Sequence, residues 1–362
     1  ELLDREVKTG AMGLGAAPSG VHTHWMDYEE LARTTYPGRR EYKDRFGLEL
    51  DTFSIVDNPS MSWASAQALA NAGYKYAVRF GQPFRTAGNN DYKTTKLPPV
   101  FWWEGPDGKS RVLYTWRNHY GINFWFGQTN GGFTDLSDLA SANVQRELMT
   151  VQSGEKLGPY PYDAVLIPSY QDHEIPVWDN RGLRRWEELY RYPEIKIANP
   201  RDFLVYVEKK HGAELPVLRG DLNNFSADYA TIDPNSQGQK RRASRLVPLA
   251  EGVGAIAGVT NPAFVFPTRD AERAYQRMFD FSEHSWPTSP PAREVHQFNS
   301  QWGKILEGGR ALTDAERLFD LSMQALTAQI ATGDERELIV FNPLAYTRTD
   351  LVTTREAISG LV

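Results

Sequence analysis

Cysteine is absent from the 362-residue sequence. Its absence excludes disulfide bonds, zinc–thiolate sites and thiol-based catalysis. The sequence also lacks a run of about 18 apolar residues, so no transmembrane helix is predicted. The first residues, Glu1–Arg5, do not have the layout of a signal peptide. Because many exported proteins also lack cysteine, the compartment stays open.

A basic surface is missing as well. The 40 Lys and Arg residues are outnumbered by 46 Asp and Glu residues, and the formal net charge is −6. The most concentrated basic run is Lys240-Arg241-Arg242. Since nucleic-acid-binding proteins usually present a basic face, we expect no nucleic-acid partner and, without an apolar span, no membrane partner. The composition does not indicate an oligomeric state.

Aromatic residues are plentiful, with 10 Trp, 17 Tyr and 17 Phe. Composition alone favours a large core as their location. Aromatic rings also stack on the C–H-rich faces of pyranose sugars, and clusters such as Phe101-Trp102-Trp103 and Phe124-Trp125-Phe126 keep that alternative open.

The first 235 residues predict an α/β domain. The apolar strand Thr52–Val56, the helix Ser62–Ala72 and the strand Tyr74–Phe80 form a strand–helix–strand unit, which is typical of parallel sheets and barrels. Pro106-Asp107-Gly108 supplies the turn of a β-hairpin within residues 97–117. The other predicted elements are helices at 27–36, 135–153, 181–192 and 200–211 and strands at 164–168, 195–198 and 216–219.

After residue 235 the pattern becomes helical. Long helical stretches at 237–256, 268–282, 290–308 and 312–331 predict a bundle. A strand at 337–341 follows. The predicted fold class is therefore α/β, with a barrel-like parallel domain (1–235), a helical middle domain (236–335) and the start of a β-sandwich domain (336–362).

Three aspartates share one context, because Asp57, Asp172 and Asp221 each lie just past a short apolar segment. In parallel α/β folds the carboxyl ends of the strands carry the site. Aspartate is also a common loop and helix N-cap residue, which suffices to explain any one of them. Three in one domain favour a site built on carboxylates.

Histidines offer candidate metal ligands. His22-Thr23-His24 is a possible metal pair, although adjacent loop histidines are usually exposed to solvent. His284 lies near the end of a predicted helix, where a capping or core position is the alternative. No HExxH, GxSxG or P-loop motif occurs.

The segment Phe53–Ala64, with its Asp57-Asn58-Pro59 turn, followed by Ala68–Tyr76, resembles glycoside hydrolase family 38, the α-mannosidases. In that family a strand ends in an Asp-Pro or Asp-x-Pro turn, and a Ser-Trp helix and an Ala-Gly-x-Lys-Tyr strand follow. Further segments match in order: Asp221–Phe225 with Arg245 and Ala250-Glu251, then Glu283–Trp286, then Phe341–Leu344.

The resemblance implies a divalent metal, usually zinc, held by an early His-x-Asp pair, a nucleophilic aspartate and a late histidine. Asp57 matches the nucleophile and a metal ligand, and His284 matches the late ligand. Asp172 matches the acid/base position. The substrate-binding residues that we predict are Trp63, Asp221 and Trp286. The early pair is not found, since His22-Thr23-His24 comes too late in the pattern; we expect it, with the first barrel strand, upstream of Glu1.

The predicted function is a metal-dependent retaining α-mannosidase-like glycoside hydrolase that acts on α-linked mannose or related glycans. A non-catalytic carbohydrate-binding or degenerate relative is the alternative. A metal-dependent deacetylase would need two histidines at i and i+4, and none are found. The family pattern predicts that Asp57 and His284 meet in one polar pocket, lined by Trp63 or Trp286, onto which Asp172 opens.

Overall fold

A computed structural model describes residues 1–17, 19–56, 60–80, 97–117, 161–166, 181–192, 194–222, 233–285, 295–331, 333 and 338–353. Asp57, Asp172, Trp286 and the predicted helix at 135–153 lie outside the described residues. The described residues form two compact units. The first comprises residues 1–234 and 279–305, and the second comprises 235–278 and 306–362.

A mixed sheet of five strands organises the first unit. The strands are β1 (Thr52–Val56), β2 (Tyr76–Phe80), β3 (Val100–Glu104), β4 (Arg111–Arg117) and β5 (Val217–Leu218). Their order in the sheet is β1-β2-β4-β3-β5. The β1–β2, β2–β4 and β3–β5 pairs are parallel, and the β3–β4 hairpin is antiparallel. The sheet is therefore parallel-rich, as predicted, whereas closure into a barrel stays a prediction.

The first unit also contains short helices. They are α1 (Leu2–Lys8), α2 (Tyr28–Arg33), α3 (Tyr36–Phe46), α4 (Trp63–Asn71), α5 (Arg181–Leu189) and α6 (Pro200–His211). The sequence predicted α4, α5 and α6, but it predicted a single helix at 27–36 that ends at Pro37-Gly38. That prediction was wrong, because α2 ends at Arg33 and a second helix, α3, begins at Tyr36. Pro37 lies in the first turn of α3, where its missing N–H costs no hydrogen bond within the helix.

The two faces of the sheet carry different side chains. Tyr76, Val78, Val100 and Leu113 pack on Leu204 and its neighbours in α6, and these residues are buried. The opposite face presents Phe101, Trp103, Tyr114 and Arg79, which are all fully buried. Tyr114 lies 5.2 Å from Phe101 and 5.4 Å from Trp103, measured between ring centroids. The period-2 alternation of a strand thus separates the apolar layer under α6 from an aromatic layer that includes one arginine.

Long helices form most of the second unit: α7 (Pro234–Thr260), α8 (Thr268–Phe281) and α9 (Val295–Thr327). Two helices were predicted where α9 stands, at 290–308 and 312–331. The structure has one, which runs through Gly308 and Gly309 because a glycine in a helix interior costs only about 1 kcal/mol relative to alanine. The unit boundaries fall at the start of α7 and within α8 and α9.

Three predicted strands differ from the structure. The described residues of the predicted strands at 164–168, 195–198 and 337–341 adopt no strand conformation. Ala164 and Leu166 instead pack on the apolar cluster under α6, which accounts for their hydrophobic pattern without strand pairing. The three-domain division and the start of a β domain stay predictions. Within the described residues, no helix is long and apolar enough to cross a membrane.

Candidate functional site

Gly20 marks the point where the first strand meets His284. An ideal Cβ built on Gly20 would lie 2.9 Å from the carbonyl oxygen of Val56 and 3.2 Å from Nδ1 of His284. Val56 is the last residue of β1 and directly precedes Asp57. The missing side chain at Gly20 therefore allows the end of β1 and the His284 ring to lie close on either side of it.

Backbone hydrogen bonds join the same two segments of the chain. The His284 N–H donates to the Gly20 carbonyl at 2.6 Å, and the His22 N–H donates to the Ser282 carbonyl at 2.7 Å. Together they make an antiparallel bridge between Val21 and Glu283. The position of His284 beside β1 is thus fixed by the main chain and does not depend on its side chain alone.

The Glu283 side chain lies against the His284 ring and is itself bound by Lys304. One carboxylate oxygen of Glu283 contacts His284 Nδ1, and the other accepts from Lys304 Nζ at 2.5 Å. Lys304 also donates to the Glu283 carbonyl oxygen at 2.9 Å, and the Ser285 N–H and hydroxyl donate to the carboxylate. The side chains of Lys304, Glu283 and His284 are 13%, 24% and 31% exposed, so His284 is the most accessible of the three.

His22 and His24 lie near the same end of β1. The His22 ring is buried and stacks on Trp25 with centroids 3.9 Å apart, so the expectation that loop histidines are exposed was wrong for it. His24, partly buried, shares a hydrogen bond with the hydroxyl of Ser60, which follows Asp57 by three positions in the sequence. Trp25 also packs with Phe281 and Ile305. Because Ile305 directly follows Lys304, this packing brings residues 22–25 close to Glu283 and Lys304.

Burial and neighbouring charges shift the pKa values of these groups. Burial, assisted by the nearby His24 and opposed by a hydrogen bond to the His284 backbone, holds the pKa of His22 well below its usual value, so this ring is neutral at pH 7. Burial alone raises the pKa of Glu283, but the close contact with His284 and the charge of Lys304 outweigh it and lower that pKa strongly. Burial lowers the pKa of Lys304, which the Glu283 charge opposes. Glu283 is accordingly a carboxylate near neutral pH.

The predicted substrate-binding residues Trp63 and Asp221 contact each other. The Trp63 N–H, at the start of α4, donates to the Asp221 carboxylate at 2.7 Å, and its indole N–H donates to the Glu104 carbonyl at 2.7 Å. Asp221 thus satisfies one of the free N–H groups at the helix start. A role of either residue in substrate binding stays a prediction.

Asp221 does not share a strand direction with Asp57, contrary to the prediction from sequence. Strand β5 is parallel to β3, and β3 is antiparallel to β4, so β5 runs opposite to β1 and β2. The end of β5 therefore does not meet the end of β1 at the same edge of the sheet. Asp221 reaches the segment after β1 by another route, because Met61 and Leu222 pair in an isolated antiparallel bridge.

The donor chemistry at His284 fits a divalent metal. A metal-binding histidine usually presents one ring nitrogen to the metal and the other to a carboxylate, as Glu283 provides here. Across the described ranges, which exclude Asp57, no group of three or more His, Asp or Glu side chains is arranged to hold a metal ion. His284 and the unseen Asp57 are thus the candidates, and their joint use as ligands stays a prediction.

Sequence reasoning did not find Gly20, Glu283, Lys304 or Arg79 as residues of this region. Glu283 stood inside the matching Glu-His-Ser-Trp segment, next to a predicted ligand, and that adjacency was an available signal. No sequence signal pointed to Lys304, because only the fold brings α9 to Glu283. Arg79 is fully buried near the end of β2, where its charge acts on Tyr114.

The family described as glycosyl hydrolases family 38, N-terminal domain, matches residues 21–226, which is more than half of the chain. The architecture is that of a mixed α/β protein with a parallel-rich sheet. The chain belongs to glycoside hydrolase family 38. No curated protein sequence matches it.

Among solved structures, an alpha-mannosidase from Enterococcus faecalis V583 is similar in fold. The TM-score is 0.62 and the identity is 16%, over 90% of this chain and 35% of that one. The chain therefore spans about a third of the length of that protein. A maltose-forming amylase from Pyrococcus sp. ST04 is less similar, with a TM-score of 0.35 and 13% identity over 86% of this chain and 60% of that one.

Proposed function

We propose that this protein is a metal-dependent retaining glycoside hydrolase that acts on α-linked mannose or a related glycan. The observation that carries the proposal is the approach of His284 to the end of β1 at Gly20. It supports the expected meeting of Asp57 with His284, since Val56 directly precedes Asp57. Family membership and the fold shared with an alpha-mannosidase support the glycan class.

In this proposal two carboxyl groups divide the chemistry. The Asp57 carboxylate attacks the anomeric carbon while the bond to the leaving oxygen breaks, and Asp172 donates its proton to that oxygen. Water then hydrolyses the glycosyl ester, with Asp172 as the base. For a retaining enzyme the two carboxyl groups should be about 5–5.5 Å apart.

A divalent metal, with zinc as the first candidate, would be held by Asp57 and His284. When bound, it supplies a template for vicinal sugar hydroxyls and acts as a Lewis acid. Imidazole nitrogen and carboxylate oxygen are both common zinc ligands. The remaining tasks belong to the protein: Asp57 must stay ionised, Asp172 must hold a proton near neutral pH, and Trp63 or Trp286 offers a flat face to the sugar.

Trapping the covalent intermediate tests the proposal directly. The protein is incubated with a fluorinated mannosyl fluoride that forms the glycosyl ester faster than water removes it, and its peptides are analysed by mass spectrometry. We expect one added sugar mass on the peptide that contains Asp57, and none in Asp57→Asn. Turnover of an aryl α-mannoside with a label on another carboxylate would refute the role of Asp57. Mannose binding without turnover would favour the non-catalytic alternative.

Asp172 is tested by the quality of the leaving group. If it is the acid, Asp172→Asn should slow substrates with poor leaving groups far more than activated ones, because only the former need the proton. An equal loss with both kinds of substrate would contradict the assignment.

A further inference from the structure

We infer that Thr23 is a positioning residue for Asp57, because its hydroxyl ties the segment that follows Asp57 to a turn that also holds the backbone before His284. The inference rests on the proposed function, in which Asp57 is the nucleophile. The turn is the short 3-10 helix Thr23–Trp25 together with His22, which precedes it. Thr23 acts on Asp57 only through the main chain.

The Thr23 hydroxyl lies between two backbone groups of the segment Ser60–Ser62. It accepts a hydrogen bond from the Ser62 N–H at 2.8 Å, and it donates to the Ser60 carbonyl oxygen at 3.4 Å, which is a longer and weaker bond. Thr23 is only 3% exposed, and a backbone group that loses its partner in such a place is costly. The hydroxyl therefore fixes where the main chain runs between Ser60 and Ser62.

Two other contacts hold the same segment. His24 shares a hydrogen bond with the Ser60 hydroxyl. Met61 pairs with Leu222 through two backbone hydrogen bonds of 2.8 and 2.9 Å. The Thr23 hydroxyl differs from both because it is a side chain that binds the main chain of the segment directly, so a single substitution removes it.

Asp57 lies between two fixed points of the main chain. Val56, directly before it, ends β1 and is paired with Phe80. Ser60 follows only three positions after Asp57. So short a connection has little slack, since a residue spans at most about 3.3–3.6 Å, and a shift of Ser60 is passed on to the residues before it. A misplacement of about 1 Å at a reacting group can lower a rate about 100-fold.

The same turn holds the segment that carries His284. The His22 N–H donates to the Ser282 carbonyl at 2.7 Å, and Trp25 packs on Phe281. The Trp25 N–H donates to the His22 carbonyl at 3.1 Å, which closes the turn. One short turn thus binds the segments next to both proposed metal ligands, and Thr23 is its side-chain contact on the side of the nucleophile.

The kinetics of Thr23→Val and Thr23→Ser test the positioning role. Valine keeps the shape of threonine without the hydroxyl, whereas serine keeps the hydroxyl. With an aryl α-mannoside we expect Thr23→Val to lower kcat about 10–100-fold with little change in KM, because a misplaced nucleophile weakens the transition state and not substrate binding. Labelling of Asp57 by the fluorinated mannosyl fluoride should slow by the same factor. Thr23→Ser should restore most of both rates.

Thr34→Val is the matched control. Thr34 is also 3% exposed, and its hydroxyl donates to the Leu31 carbonyl at 2.7 Å at the end of α2. The substitution removes a similarly buried hydroxyl but no contact with the segment after Asp57, so kcat should stay near that of wild type. Thermal unfolding confirms that each variant is folded at the assay temperature. If Thr23→Val does not fold, Thr23→Ala takes its place and is compared with Thr23→Ser, from which it differs by one hydroxyl.

Hydrogen exchange of the Ser62 amide, followed by proton–nitrogen NMR, reports on the hydroxyl without any assay of activity. We expect exchange to be about 2–10-fold faster in Thr23→Val, which is the range that corresponds to the loss of one net hydrogen bond. Thr23→Ser and Thr34→Val should exchange as wild type does. Unchanged exchange in Thr23→Val would overturn the inference, because the hydroxyl would then not hold this segment.

The kinetic outcomes separate this inference from the proposed function. If wild type is labelled on Asp57 and Thr23→Val is labelled as fast as Thr34→Val, the positioning role is refuted while the proposed function stands. The same holds if Thr23→Ser is slowed as much as Thr23→Val. If wild type is neither labelled on Asp57 nor active on the mannoside, the proposed function fails, and the role of Thr23 fails with it even if the Ser62 amide responds as expected.

Discussion

Gly20→Ala is the sharpest test of how the site is assembled. The new Cβ would lie 2.9 Å from the Val56 carbonyl oxygen, closer than Cβ atoms are normally found, and 3.2 Å from His284 Nδ1. The Val56 oxygen belongs to a paired strand and the His284 backbone is bound to Gly20, so neither neighbour can move without losing contacts.

The magnitude follows from two opposing effects. Overpacking of a filled site lowers the free energy of unfolding by about 1–3 kcal/mol. Removing a glycine lowers the entropy of the unfolded chain, which raises the free energy of unfolding by about 0.4–1 kcal/mol. We therefore expect the free energy of unfolding to fall by up to about 2 kcal/mol. Each kcal/mol should lower Tm by roughly 2–4 °C. Thermal unfolding followed by circular dichroism measures the loss, and the His284 NMR signals should shift in the same variant.

Gly15→Ala is the control. Its Cβ would lie 3.1 Å from the Ser54 carbonyl oxygen, in the same strand, and no atom of His284 is among its near neighbours. We expect a smaller change in Tm and unchanged His284 signals. If Gly20→Ala were as stable as wild type with an unchanged His284 ring, the close approach at Gly20 would be wrong, and with it the main support for the site.

Two further predictions concern elements that frame the sheet. Asp221→Ala should lower the free energy of unfolding by about 0.5–2 kcal/mol because the start of α4 loses its acceptor; Asp221→Asn should lose less, and equal denaturant midpoints for all three proteins would contradict the capping role. Burial alone raises the pKa of Asp51, but hydrogen bonds from Arg201 and Thr52 outweigh it and lower that pKa. The folded pKa is then below the unfolded one, so the pair stabilises the fold above about pH 4 and its contribution is lost as pH falls through the folded pKa. Because Asp51 is 34% exposed, we expect only about 0.2–1 kcal/mol at pH 7. The denaturant midpoints of wild type and Arg201→Gln should converge in acid, and a constant gap would refute this.

Local signals predicted much of the first unit. Thr52–Val56 was predicted at its observed bounds because a short apolar run ended by a turn has few alternative structures. Pro200–His211 was equally clear, since Asn199 and Asp202 form a capping box around a proline in the first turn. The strand at 195–198 failed because an apolar pattern does not reveal whether a neighbouring strand is available for pairing.

The site was predictable only in part. The residues of the matching segments include His284, but residue spacing cannot show that α9 brings Lys304 to Glu283 or that Gly20 leaves room for the ring. Such contacts depend on packing between distant segments, for which no local pattern exists. The direction of β5 was missed for a related reason: a strand's sequence does not encode which way it runs relative to strands far along the chain.

The bridge between Val21 and Glu283 has a consequence for the timing of folding. These two residues come from segments that are synthesised far apart, and at about 5–20 residues per second the later one follows the earlier by roughly 10 to 60 s. Closing so long a loop is entropically unfavourable until the intervening sheet has formed. Trp25 therefore lacks its contacts with Phe281 and Ile305 until those residues have left the ribosome. During that interval a chaperone has part of an aromatic surface to bind, and a chain that stops before residue 281 should keep that surface exposed.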